Sequence, residues 1–163
     1  MEKRETIHRK IFDSVELDQM LAFWRFRDLS VSMAYGTFDI LKPGTIEMLI
    51  MAAEKGQVLL VAVKPDTIVQ KHKGEGFPLN NQCDRAFTVA SQMLVSGVHV
   101  VEVEDPLELV EKVKPVAIYC CMHAVDIEVK AFHKIEEWGG EFFKVDTDKA
   151  VERKSNGSCS CCE

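Results

Sequence analysis

Apolar runs alternate with stretches of helical period along this chain. Residues 14–26, SVELDQMLAFWRF, carry apolar positions at helical spacing, with Asp13 or Ser14 as N-cap. VSMAY (31–35) predicts a short buried strand. Residues 45–55 predict a helix, with Gly56 as its stop. VLLVAV (58–63) is apolar at every position, as a central parallel strand covered on both faces would be. A polar connection, KPDTIVQKHKGEGFPLN, follows at 64–80. Residues 81–95 predict a helix closed by Gly97, and VHVVEV (98–103) a third strand. DPLE (105–108) predicts a helix start with Asp105 at N-cap, Pro106 at N1 and Glu108 at N3 reaching back to the cap. That helix should run to about Val113. VAIYCC (116–121) predicts a fourth strand, 126–138 a helix ended by Gly139-Gly140, and EFFKV (141–145) a fifth strand.

The order β-α-β-α-β-α-β-α-β implies an α/β fold, a doubly wound five-stranded parallel sheet with helices on both faces. Such sheets bind ligands at the carboxyl ends of the strands, where the strand order reverses. The turn after the first strand, YGTFDILKPGT (35–45), is therefore the first candidate site. There is no internal repeat. One domain is expected over 1–153, with a mobile cysteine-rich tail at 154–163, ERKSNGSCSCCE being polar and then rich in thiols.

Composition narrows the choice. With 163 residues, 47% hydrophobic and 28% charged, the chain is of ordinary globular type. Its net charge of -6 disfavours general binding to nucleic acid or an anionic membrane, and leaves room for a local basic pocket. No apolar run approaches the roughly 20 residues of a membrane span, and the charged start MEKRETIHRK is not followed by a signal-type apolar core. The expectation is a cytoplasmic protein whose six cysteines are reduced thiols.

The turn has its own chemistry. Tyr35 ends the strand. Gly36 lets backbone approach a ligand, and Thr37 offers a hydroxyl. Gly44 and Thr45 open the next helix, whose free N–H groups and dipole favour an anion, and Lys42 adds a cation. A glycine-containing βα turn is common to many α/β proteins, so these features alone leave a nucleotide site and a plain structural turn both open.

The chain as a whole resembles the cytidylyltransferase-like nucleotidyltransferases. It looks most like the adenylyltransferase domain of ADP-heptose synthase and is also similar to glycerol-3-phosphate cytidylyltransferase. The resemblance spans about Phe12 to Ser158 and rests on GTFDILKPG after the first strand, KGEGFPLN (73–80), DR (84–85), DPLELVEKVKP (105–115) and GGEFFKV (139–145). It implies a Rossmann-like nucleotidyltransferase fold. It also implies a reaction in which a phosphate or alcohol oxygen attacks the α-phosphorus of a triphosphate and pyrophosphate leaves, with Mg²⁺ shielding the charge. Such chemistry is mostly positioning and charge stabilisation. By resemblance, Gly36, Thr37, Phe38 and Asp39 match the first turn, Lys73 the basic loop, and Arg85 an arginine facing the ligand's phosphates. A homodimer is implied as well.

Three signatures depart from the family. Its H-x-G-H motif reads K-P-G-T, so Lys42 and Thr45 replace both histidines. Its K-G-G-D-type segment reads CCMH (120–123). Its S-T-T-type turn is represented by KSNGS (154–158), where Ser155 and Ser158 remain. Lysine still holds a phosphate as a point charge, whereas threonine donates one hydrogen bond without charge. Loss of one well-placed donor typically costs about 10² to 10³ in rate. The expectation is a protein that binds a nucleoside triphosphate or phosphorylated metabolite with impaired catalysis. Two alternatives stay open: a divergent, active adenylyl- or cytidylyltransferase acting on a sugar- or polyol-phosphate, and a non-enzymatic scaffold or sensor. Cys120, Cys121 and His123 match no zinc spacing, so no metal site is expected.

Overall fold

The computed structural model describes residues 2–148. The tail expected at 154–163, with Ser155, lies outside the described residues. Thirteen helices and strands run in the order α1 (Lys3–His8), β1 (Ile11–Phe12), α2 (Ser14–Phe26), β2 (Val31–Gly36), α3 (Pro43–Lys55), β3 (Val58–Val63), α4 (Asp66–Lys73), α5 (Gln82–Ala90), β4 (Gly97–Val100), α6 (Leu107–Val113), β5 (Ala117–Cys121), α7 (Asp126–His133) and β6 (Glu141–Val145). A 3-10 turn, Lys134–Trp138, continues α7.

The sheet has six strands rather than five, all parallel, in the order β1-β4-β3-β2-β5-β6. The extra strand, β1, is two residues long, too short to show alternation, and pairs with Val98 and His99 at the edge. It also explains a second correction. Gly97 was expected to stop a helix, yet it lies inside β4, and a Cβ there would stand 2.2 Å from the Phe12 ring. The glycine makes room for the edge strand's aromatic side chain. The helix before it ends at Ala90, not 95.

Local signals account for most helix starts. Asp13 caps α2 in a reciprocal box: its carboxylate accepts from Glu16 N at 2.8 Å, and the Glu16 carboxylate accepts from Asp13 N at 3.0 Å. Asn81 caps α5 by accepting from Asp84 N at 3.0 Å. At α6 the detail differs from expectation. The Asp105 carboxylate accepts from Leu107 N at 3.0 Å, so Pro106 is the cap residue and the helix begins one position later. α4 was missed inside the polar connection because it buries only Ile68 and Val69.

Alternation along the strands divides the core. Ala34, Leu59, Val61, Val63 and Tyr119 face α3 and α5, packing on Met48, Leu49 and Val89. On the other face, Met33, Tyr35, Ala62 and Cys120 pack under α6 and α7 against Val110 and Phe132, while α2 lays Leu17, Leu21 and Trp24 on Val31 and Leu60. The chain leaves β2 for β3 and β4 on one side, then returns for β5 and β6 on the other. The switch point is therefore between β2 and β5, and the 35–45 turn rises from it. No helix among the described residues is long and apolar enough to cross a membrane.

Candidate functional site

The turn after β2 is held in one shape by its own residues. Phe38 adopts a left-handed backbone (φ 54), and its ring folds back over Gly36, where a Cβ would meet it at 3.3 Å. Asp39 fastens the 74–80 loop: its carboxylate accepts from Leu79 N at 2.7 Å and Asn80 N at 2.8 Å. Partial burial alone would raise the Asp39 carboxyl. The donors from Leu79 and Asn80, with the charge of Arg85, outweigh that and hold it below the usual carboxylate range. The loop preceding α5 is thus tied to the phosphate turn.

Arg85 lies beneath this junction and is 1% exposed. Its Nε donates to Asn80 O at 3.0 Å, one terminal nitrogen donates to Thr37 O, and the other donates to Lys64 O at 2.7 Å and to the Asp66 carboxylate at 2.8 Å. Four of its five N–H donors are engaged by these bonds. Arg85, the arginine expected to face a ligand's phosphates, ties together the ends of β2 and β3 and the start of α4. Lys73 is exposed at the end of α4, beside Gly74 and Gly76, both at φ 88.

At the start of α3 three distant segments meet. Lys42, the N-cap residue, places Nζ 3.1 Å from Asp148 Oδ1, and His123 Nε2, from the loop after β5, lies 3.2 Å from Asp148 Oδ2. Lys42 first, and His123 second, hold the Asp148 carboxyl below its ordinary value. Gly44 is required here: a Cβ would stand 2.3 Å from Thr147 O, so the chain leaving β6 lies directly against the helix start. Thr45 is half-buried, and its N–H bonds back to Lys42 O at 2.9 Å.

On the opposite face of the sheet, under the same edge, sits a second polar group. Lys64, the residue after β3, places Nζ 2.5 Å from Glu128 Oε1, with the two side chains 11% and 0% exposed. Its ammonium also stands 5.4 Å from the centre of the Tyr35 ring. Glu128 Oε2 accepts from Val125 N at 3.0 Å, fixing the loop that enters α7. Burial of the Tyr35 hydroxyl, reinforced by the Glu128 charge, raises its pKa. Burial likewise pushes the Cys120 thiol up to about 12.

Tyr35, Gly36, Thr37, Phe38, Asp39, Lys42, Gly44, Thr45 and Arg85 thus gather at the switch point, with Lys73 at its rim. Sequence reasoning missed Lys64, Glu128 and Asp148. For Lys64 the available signal was parity: it is two residues beyond Ala62 and so shares the face of Tyr35. A separate cleft between α2 and α6, lined by Ser14, His99, Glu102, Glu108 and Lys112, opens beside the end of β4.

A family model described as cytidylyltransferase-like matches residues 33–152. The chain belongs to the cytidylyltransferase-like family. The bifunctional protein HldE of Mesorhizobium japonicum is 33% identical over 143 residues, covering 86% of this chain and 29% of its own length. That of Rhodopseudomonas palustris is 30% identical over 154 residues, covering 91% and 31%. This member of the family therefore spans under a third of the length of those relatives. Among solved structures, a lipopolysaccharide core biosynthesis protein from Thermoplasma volcanium superposes with TM-score 0.60 at 24% identity, over 72% of this chain and 97% of its own. A pantoate-beta-alanine ligase from Francisella tularensis, complexed with an ATP ligand and beta-alanine, superposes with TM-score 0.59 at 11% identity, over 86% and 68%. These two likenesses concern the fold alone.

Proposed function

We propose that this cytidylyltransferase-like protein binds a nucleoside triphosphate or a phosphorylated metabolite at the 35–45 turn and transfers nucleotides poorly or not at all. The observation that carries the reading is a contrast within the site. The turn and its supports are complete: Gly36, Phe38 and Asp39 shape it, and Arg85 underpins it. The charge that should act on a reacting phosphate is not. Lys42 and Thr45 stand at the motif's histidine positions, and the one cation among them is already paired with Asp148.

In this reading Gly36, Thr37 and Gly44 contact phosphate, Lys42 and Lys73 supply charge, and Arg85 keeps the turn in shape. Lys42 must leave Asp148 to meet a ligand. Both groups are more than half exposed, so that exchange costs little. Magnesium would arrive with the triphosphate: among the described residues no cluster of three His, Cys, Asp or Glu side chains is placed to hold a metal ion. The resemblance to the adenylyltransferase domain of ADP-heptose synthase supports a sugar-phosphate as the second ligand class.

The test has two parts. Purified protein is incubated with each nucleoside triphosphate, Mg²⁺ and sugar- or polyol-phosphates, and pyrophosphate release is followed. Thermal shift with the same ligands is measured in parallel, since a ligand that binds only the native state raises its stability. The expected result is a shift without turnover. Sustained turnover would establish an active enzyme, and the lack of any shift would remove the ligand-binding reading.

A further inference from the structure

The buried pair of Lys64 and Glu128 is the part of the switch point that the reading above leaves unused. A charged pair in a sheet core is costly unless geometry is favourable, and substituting both members by apolar groups is often neutral or stabilising. Its position makes it more than a core curiosity. Lys64 N donates to Gly36 O at 2.9 Å, and Arg85 donates to Lys64 O at 2.7 Å, so the Lys64 backbone is fastened to the phosphate turn from two sides.

From there the side chain rises on the face that carries Tyr35. Tyr35 pairs in register with Cys120 of β5 on one side and Ala62 of β3 on the other, and all three share one face. Lys64, one pleat beyond Ala62, brings a cation over the Tyr35 ring toward the end of β5. That is the strand end where the CCMH segment carries Cys120 in place of the lysine of a K-G-G-D-type sequence.

Lys64 is also not closed off. Glu128 pairs with the ammonium as an ion pair, and the Lys64 side chain keeps 11% of its surface open at the carboxyl edge of the sheet. The nearby acids are otherwise engaged: Glu104 pairs with Lys71 and His72, Asp105 accepts from Leu107 N, and Glu128 Oε2 accepts from Val125 N. We propose that Lys64, oriented by Glu128, is a ligand-binding residue that takes a phosphate group of the bound nucleotide or phosphorylated metabolite from the α7 face of the switch point. Lys42 approaches from the α3 face. This rests on the phosphate-site reading above and adds to Lys42 and Lys73 a further cation that no motif marks.

The experiment keeps charge and packing apart. Lys64→Met alone strands a buried carboxylate, so the informative variant is Lys64→Met with Glu128→Gln, which removes both charges and keeps both shapes. Wild type, this double variant and Glu128→Gln alone are titrated calorimetrically with ATP, inorganic pyrophosphate and adenosine. The double variant should lose about 10- to 100-fold affinity for ATP and pyrophosphate, as removal of a charged hydrogen bond does, and keep its affinity for adenosine. Glu128→Gln should retain phosphate binding, because Lys64 remains.

Equal affinity of wild type and double variant for ATP and pyrophosphate would overturn the role of Lys64 while leaving the phosphate site in place. A loss of equal size for adenosine would also overturn it, by showing a structural effect alone. If no phosphorylated ligand binds wild type, both readings fall together.

Discussion

Asp39, expected in the phosphate turn from sequence, makes local contacts that fix the 74–80 loop. Its carboxyl is held below the usual range in the folded protein. A depressed carboxylate contributes stability above its unfolded pKa, about 4, and loses that contribution as pH falls through the lower folded value. Asp39→Asn should therefore cost about 1–2 kcal/mol near pH 7, the worth of hydrogen bonds to a charged acceptor. The difference from wild type should shrink in acid, as read from urea melts between pH 7 and pH 3. A difference that persists unchanged in acid would show that charge plays no part. Arg85→Lys makes a harsher test. Lysine is a point charge without the fork that reaches Thr37, Asn80 and Lys64 together, so a loss of about 2–4 kcal/mol is expected in the same melts. The contacts of Arg85 could not be read from sequence: its acceptors are backbone carbonyls 5, 21 and 48 residues away and the Asp66 carboxylate. Lys64, Glu128 and Asp148 went unread for a related reason. Nothing in the local sequence of any one of them names its partner.

At the level of elements, long apolar runs were readable and short or polar ones were not. β3 falls where VLLVAV predicts it, because a strand covered on both faces must be apolar throughout. β1 offers two residues, and α4 two buried positions in eight, too little for a period to emerge. Gly97 was misread for the same reason: without β1 in view, nothing distinguishes a helix-stopping glycine from one that clears space for Phe12. Gly97→Ala separates the two roles. The added Cβ would stand 2.2 Å from the Phe12 ring, and the ring must shift. The expected cost is about 1–3 kcal/mol, typical of overpacking. In a Phe12→Leu background the added penalty should be clearly smaller, since the smaller side chain yields. An equal penalty in both backgrounds would mean that backbone conformation, not the contact with β1, selects glycine there.

Across the whole molecule the candidate site is a convergence of segments: 35–45 from β2 and α3, 64 and 85 from the β3 side, 120–128 from β5 and α7, and 146–148 after β6. The α/β class with a parallel sheet and the first of these segments could be read from sequence, because they follow from alternation and a turn. The convergence could not, because it depends on where β6 sends the chain. This decides what repair of the motif should do. Lys42→His with Thr45→His restores the two histidines of H-x-G-H, and a lost donor is typically worth about 10² to 10³ in rate. Yet a histidine at 42 would still face Asp148, already in contact with His123, with Thr147 O packed against Gly44. The loop after β5 would still read CCMH. Pyrophosphate release by the double variant is therefore expected to stay within about tenfold of wild type, well short of the effect of a single effective donor. Adding Asp148→Asn, together with glycines at Cys121 and Met122, should raise the rate further than the histidine pair does. Each step is measured with the same triphosphate and acceptor panel, alongside a melt to confirm folding. A gain of 10² or more from the histidine pair alone would show that the motif by itself limits the rate, and that the contacts made by Asp148 and the loop after β5 do not.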